Sequence, residues 1–153
     1  MERVYISKIK VFGDTWKITA SDRGIVSVYP SDTDFIPFEN AITEQAVKEL
    51  KEYLVHIRTT FSVPLDLCGT PFQKQVWEAL QNVPYGKTKT YGQIAEAIGS
   101  PKAVRAVGQA IGRNPCLVLI PCHRIIGKSG DLTGFSAGMD LKKQLLDLKG
   151  IPY

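Results

Sequence analysis

The residues best suited to covalent chemistry lie together at Pro121-Cys122-His123-Arg124, directly after the apolar run Leu117-Val118-Leu119-Ile120. A thiol attacks only as its thiolate, so it needs a base or a positive charge nearby. His123 and Arg124 are candidates for both roles. Neighbouring side chains in a strand point to opposite faces, so His123 has to reach Cys122 through a bend or a water. Free cysteines are more often buried packing residues, and an isolated Cys-His pair would be read that way. Here the apolar run, the proline stop and an asparagine upstream favour a nucleophile.

Cys68 and Cys116 bring the cysteines to three, with no Cys-x-x-Cys pair among them. An odd count without that spacing argues against a disulfide framework and against a structural zinc site. The two histidines, His56 and His123, are 67 positions apart, so no metal and no cofactor is expected.

The 153 residues are 44% hydrophobic and 22% charged, the composition of a globular chain large enough for one medium domain or two small ones. A net charge of +4 is compatible with a nucleic-acid partner without requiring one. No apolar run approaches the roughly 18–20 residues of a membrane span. The first residues lack the apolar core of a signal peptide. The expectation is a cytoplasmic protein with no membrane partner.

Positioning Cys122 falls to two sets of elements. Period-two alternation through Val4, Ile6, Ile9, Val11, Trp16, Ile18, Ile25 and Val28, broken at Gly13-Asp14 and at 21–24, predicts three short antiparallel strands. A loop over 31–42 follows, then a helix over 44–57 with Thr43 as N-cap and Val47, Leu50, Leu54 and Ile57 on one face. The stretch 61–69, carrying Pro64, reads as an extended connector. The boundary falls there, between an N-terminal α/β support domain over 1–64 and a C-terminal domain over 65–153.

In the second part, Thr70-Pro71-Phe72-Gln73 is a capping box with proline at the first helical position, and Phe72, Val76, Trp77 and Leu80 form the buried side. Pro84-Tyr85-Gly86-Lys87 is a turn. Thr90-Tyr91-Gly92-Gln93 is a second capping box, opening a short helix that stops at Gly99. A further helix over 101–112 makes the pair a helix-turn-helix candidate. Its apolar side is Val104, Val107 and Ile111, while Lys102, Arg105, Ala106, Gln109 and Ala110 lie opposite. Base readout in the major groove usually needs several long polar side chains. Alanines and glycines around one arginine suit close, sequence-independent or minor-groove docking better. One such arginine could also hold the space left by a nucleotide turned out of the stack. The run 117–120 reads as a strand buried on both sides. A last helix over 141–148 buries Leu141, Leu145 and Leu148.

Taken in order, these motifs resemble one family, the O6-alkylguanine-DNA alkyltransferases, also called methylated-DNA–protein-cysteine methyltransferases. Pro121-Cys122-His123-Arg124-Ile125-Ile126 is similar to the family's active-site signature. Gly69-Thr70-Pro71-Phe72-Gln73, Pro84-Tyr85-Gly86 and Thr90-Tyr91 resemble its upstream blocks. Ala103-Val104-Arg105-Ala106-Val107-Gly108, followed by Asn114-Pro115, resembles its recognition helix and what comes after it. Gly134-Phe135-Ser136-Ala137-Gly138 resembles its substrate loop. The resemblance runs in register over about residues 65–151 and loosely over the N-terminal strands.

The resemblance implies an α/β (α+β) fold, with a small N-terminal antiparallel sheet and helix beside a mostly helical C-terminal domain containing the helix-turn-helix. It implies a monomer that takes double-stranded DNA containing alkylated guanine as partner and rotates the damaged base out. The Cys122 thiolate would attack the O6-alkyl carbon, with O4-alkylthymine as a candidate second substrate. The product is a stable thioether, so each molecule acts once. By position, Cys122 would be the nucleophile and His123 a base acting through a water. Asn114 would steady the bend, and Tyr91 would donate to the departing base. Arg105 would fill the vacated stack, with Thr90, Lys102, Ala106 and Gln109 on the DNA. The backbone at Leu117 and Cys122, with Phe135 and Ser136, would hold the flipped guanine.

The chain departs from the family at one position. The family usually carries a glutamate near the end of the last helix, which orients the active-site histidine. Here that position is Lys149. A lysine cannot accept the imidazole N–H and lowers its basicity if close. Either the relay is weaker in this chain or Asp147 substitutes from a neighbouring turn. The rival readings are a non-catalytic protein of the same fold that only binds alkyl lesions, a cysteine hydrolase built on Cys122 and His123, and a helix-turn-helix regulator.

Overall fold

A computed structural model describes residues 3–127, 142 and 144–146. They form two compact units. One takes in the residues up to Cys68 together with Pro115–Leu119, and the other takes in Gly69–Asn114 and the described residues from Ile120 onward.

The first unit is built on three antiparallel strands in the order β1 (Tyr5–Val11), β2 (Asp14–Ala20) and β3 (Ile25–Pro30). Phe12 and Gly13 form the two-residue turn between β1 and β2, both at positive φ, the form whose twist matches the flanking strands. Ile9, Val11, Trp16, Ile18, Ile25 and Val28 are buried, as the alternation predicts, whereas Val4, ahead of β1, is 59% exposed and Ile6 is half-buried.

Helix α1 (Ala41–Leu54) packs on this sheet. It begins and ends earlier than the sequence reading placed it. Asn40, not Thr43, is the N-cap, and Thr43 sits at the third helical position, where its hydroxyl completes the capping box. Its buried side is Thr43, Ala46, Glu49, Leu50 and Tyr53, whereas Ile57 lies beyond the helix and is 74% exposed. Glu49 is buried with a purpose. Its carboxylate accepts from the Ser62 and Val63 amides, the Ser62 hydroxyl and the Gln45 amide. Those bonds hold its carboxyl below the usual range although burial pushes the other way. They fix the connector, which then pairs at Leu65 with Ile25.

In the second unit, α2 (Pro71–Gln81) starts at the expected Thr70–Gln73 capping box with Pro71 at its first position. Val76, Trp77 and Leu80 form its buried side. The Trp77 indole N–H donates to the Ala110 carbonyl at 2.9 Å, which ties α2 to α4 (Val104–Gly112). A two-residue strand, β4 (Lys89–Thr90), leads straight into α3 (Tyr91–Ala97), which is capped by the predicted Thr90–Gln93 box. Gly99, at φ +78, ends α3 in the left-handed conformation that costs glycine least. Strand β4 pairs in parallel with β5 (Ile125–Ile126). Periodicity cannot reveal a two-residue strand, so this pairing was not legible in the sequence.

The last helix of the sequence reading falls mostly outside the described residues. Lys142, Gln144, Leu145 and Leu146 are helical, with Lys142, Leu145 and Leu146 buried.

Candidate active site

The apolar run before Cys122 is not the strand that its composition predicts. The Val28 amide donates to the Pro115 carbonyl, and the Leu117 amide donates to the Val28 carbonyl, so β3 grips 115–117. The chain then folds tightly. The Leu119 amide bonds back to the Leu117 carbonyl at 2.9 Å around Val118, whose φ is +71. This is a γ-turn of the strained sense, held at a β-branched residue that is 1% exposed. Such a conformation persists only where the surroundings over-determine it. An apolar run looks the same in sequence whether it extends or turns, which is why the strand reading failed.

A second γ-turn follows, of the relaxed sense. Pro121 has φ −80 and ψ 61, and the Cys122 amide bonds to the Ile120 carbonyl at 2.8 Å. The fully buried Asn114 donates its side-chain N–H to that same carbonyl at 2.8 Å. That bond ties Asn114 to the turn that precedes the cysteine. Cys122, His123 and Arg124 then make one 3₁₀ turn. With about three residues per turn, adjacent side chains leave a 3₁₀ turn about 120° apart.

The three residues of the turn are all buried, Cys122 at 4%, His123 at 0% and Arg124 at 5% exposure. Arg124 is not the charge partner the sequence suggested for the thiol. Its guanidinium donates to the Val83 carbonyl at 2.6 Å and lies over the Tyr85 ring, so it anchors the turn after α2. Burial pushes the Cys122 thiol up to about 11, while a hydrogen bond from Asn114 and the charge of Lys142 pull it back. Cys116, fully buried, is pushed up to about 12 by desolvation. Cys68 is exposed. Around Cys122, then, groups are arranged that favour its ionisation.

Tyr91 opens α3, and its ring edge lies 3.9 Å from where a Cβ on Gly108 of α4 would sit. The β4–β5 pairing sets Lys89 and Thr90 beside Ile125 and Ile126, so the start of α3 is stapled to the residues just past Cys122. Thr90 is engaged as the cap of α3.

On α4, Arg105, Ala106 and Gln109 are exposed together, as the pattern predicts. Two details differ. Val104 is 41% exposed and joins that outer face, and Ala110 is buried beneath Trp77. Lys102 is exposed in the turn before α4, because the helix begins at Val104 and not at 101.

Leu117 is fully buried, with its amide and its carbonyl both in backbone hydrogen bonds. Phe135, Ser136, Asp147 and Lys149 lie outside the described residues. Lys142 was missed by sequence reasoning. Nothing in a Leu141–Leu145–Leu148 stripe marks the intervening lysine as buried, yet it is 1% exposed.

Residues 71–151 match the family model described as the DNA-binding domain of 6-O-methylguanine DNA methyltransferase. The methylated-DNA–protein-cysteine methyltransferase of Mycobacterium leprae is 48% identical over 120 residues, covering 78% of this chain and 72% of that protein. The constitutive one of Bacillus subtilis is 50% identical over 110 residues, 71% of this chain and 67% of that protein. Among solved structures, that of Mycobacterium tuberculosis OGT in complex with DNA superposes with a TM-score of 0.85 at 40% identity, covering 95% of this chain and 93% of that one.

Proposed function

The chain belongs to the methylated-DNA–protein-cysteine methyltransferase family, and from that membership we propose that Cys122 is the residue that accepts the alkyl group from damaged DNA. The protein repairs DNA by direct alkyl transfer, with DNA carrying O6-alkylguanine as its substrate. The observation that carries the assignment is the Cys122 turn, in which a buried thiol is held by Asn114 through Ile120 and followed by a buried histidine.

The thiolate sulfur attacks the alkyl carbon opposite the O6 bond. A carbon–sulfur bond forms as the carbon–oxygen bond breaks, and the electron pair passes to the guanine. The thiol proton leaves through His123 and a water, and guanine regains a proton from solvent. Tyr91, at the positive end of α3, donates to the departing base and offsets its charge. Arg105 projects from the outer face of α4 into the stack that the base has left. Lys102, Ala106, Gln109 and Thr90 would contact the DNA, and Phe135 and Ser136 would contact the flipped guanine. The reaction ends in a thioether, which is not a leaving group under mild conditions, so each molecule reacts once.

No helix of the described residues is long and apolar enough to cross a membrane. The reading is of a cytoplasmic monomer. The non-catalytic reading is not favoured, because the cysteine and its turn are both in place. Incubation with a duplex carrying labelled O6-methylguanine separates the two readings. The native protein should take up the label, and Cys122→Ala should bind the duplex without taking it up. Label transfer by Cys122→Ala would overturn the assignment.

A further inference from the structure

The outward positions of the three-stranded sheet form a face that neither the Cys122 turn nor α4 uses. Ile9, Val11, Trp16, Ile18 and Val28 turn into the core on the side of α1. By the same alternation, Lys8 and Lys10 on β1, Thr15, Lys17 and Thr19 on β2, and Ser27 and Tyr29 on β3 turn the other way. None of these positions carries an acid. The register sets Lys8 directly opposite Lys17, and Lys17 opposite Tyr29, so two ammonium groups and a phenol cross the sheet in one row. Lys10 stands two residues along from Lys8 and donates to the Thr15 hydroxyl at 2.8 Å.

Like charges directly opposed across a ladder are destabilising. Ile6 turns its N–H and C=O away from β2 to bond with Phe38, so Lys8–Lys17, two residues on, is a non-hydrogen-bonded pair, the kind with closer side chains. Phe35 offsets part of the repulsion. Both ammonium groups lie over its ring, 5.0 and 5.4 Å from the centroid, so one aromatic side chain holds the two cations together. Asp32 and Asp34 are exposed in the loop that carries Phe35, yet among the described residues no carboxylate is in ion-pair contact with Lys8, Lys10 or Lys17. Lysines on an edge strand guard against pairing with another chain, which accounts for Lys8 and Lys10. It does not account for Lys17, which stands on the central strand.

We propose that this face is a second DNA-contacting surface, on which Lys8, Lys10 and Lys17 take backbone phosphates of duplex DNA. The proposal rests on the chain being a DNA-binding protein and adds a contact outside the helix-turn-helix. Charge complementarity selects the occupant. Three cations without a carboxylate partner meet a polymer that presents about one negative charge per 1.7 Å of its axis. The hydroxyls of Thr15, Thr19 and Ser27 on the same face suit phosphate oxygens, and such contacts carry no sequence information. A second copy of this chain fits poorly, because the same face on both partners would set lysine against lysine.

The test is the affinity of the full chain for undamaged duplex DNA across a series of salt concentrations. Each phosphate contact contributes about 0.9 to the slope of log affinity against log salt. Changing all three residues, Lys8→Gln, Lys10→Gln and Lys17→Gln, should lower that slope by about 2 to 3 and weaken binding at low salt by about tenfold or more. The three Lys→Arg changes should keep the native slope, since arginine also pairs with phosphate. An unchanged slope in a glutamine variant that unfolds at the native temperature would overturn the proposal. If that variant does not fold, the native protein supplies the second readout. Duplex DNA should protect Lys8, Lys10 and Lys17 from acetylation mapped by mass spectrometry, and full reactivity in the bound state would equally overturn the proposal. Protection by polyglutamate without protection by duplex would assign the face to an acidic protein segment and overturn it as well. The duplex carries no lesion, so this surface can fail while alkyl transfer to Cys122 stands, and the reverse is equally visible.

Discussion

Cys122 is 4% exposed, and the burial that shields it from adventitious oxidants and alkylators also pushes its thiol up to about 11. A raised thiol pKa means that the reactive thiolate is the minor form at neutral pH and grows as pH rises. The transfer rate should therefore climb through neutrality and keep climbing past about 8.5, where an ordinary free thiol would level off. A rate that is flat from pH 6 to 8 in transfer assays would show that a neighbouring base has already ionised the thiol. Lys149→Glu probes the same question from the sequence side. If His123 lacks an orienting carboxylate, that change should speed transfer near pH 7 by about tenfold and flatten the profile. If Asp147 already does the work, Lys149→Glu should be neutral and Asp147→Asn should slow the reaction. Asn114→Ala removes the side-chain donor from the Ile120 carbonyl but leaves the Cys122 amide on it. It should cost about 1–2 kcal/mol in denaturant unfolding and slow transfer further than that loss of folded protein explains.

The elements around the site differ in how plainly the sequence announces them. The Thr70–Gln73 and Thr90–Gln93 boxes were legible because an N-cap and its partner three residues on are local chemistry. Asn40 and Thr43 could each have capped α1, and the choice between them depended on where the helix meets the sheet. Val118 was illegible for the opposite reason. Its positive φ is imposed by β3 gripping one side of the run, a tertiary effect with no mark in an apolar string. The buried sides of α2 and α4 were read nearly in full. Val104 and Ile57 were misplaced because an apolar residue near a helix end can leave the core freely. Two predictions belong at this scale. Thr90→Ala should cost about 1 kcal/mol and loosen the start of α3, with a measurable loss in chemical unfolding. Arg105→Ala should leave stability unchanged, since the side chain is exposed on α4. It should slow repair in duplex DNA far more than reaction with a free alkylated guanine base, because only the duplex has a stack to fill. Equal losses on both substrates would remove Arg105 from that role.

For the whole molecule, if a chain of net charge +4 docks through small residues and a few cations, as proposed for α4, it should bind DNA with little sequence preference. Its affinity should fall steeply with added salt, and a sequence-dependent affinity at constant salt would contradict the docking described for α4. The three thiols divide the reaction sharply. Cys68 is exposed but stands outside the Cys122 turn, Cys116 is buried with its thiol pushed up to about 12, and Cys122 has Asn114 and Lys142 acting on it. Mass spectrometry of the intact protein and its peptides, after reaction with an excess of duplex containing O6-methylguanine, tests the central claim most directly. Uptake should stop at one methyl group per chain, carried entirely by the peptide containing Cys122 and matched by one repaired guanine in the DNA. Continued repair by protein that stays unmodified, or a methyl group found on Cys68 or Cys116, would contradict it.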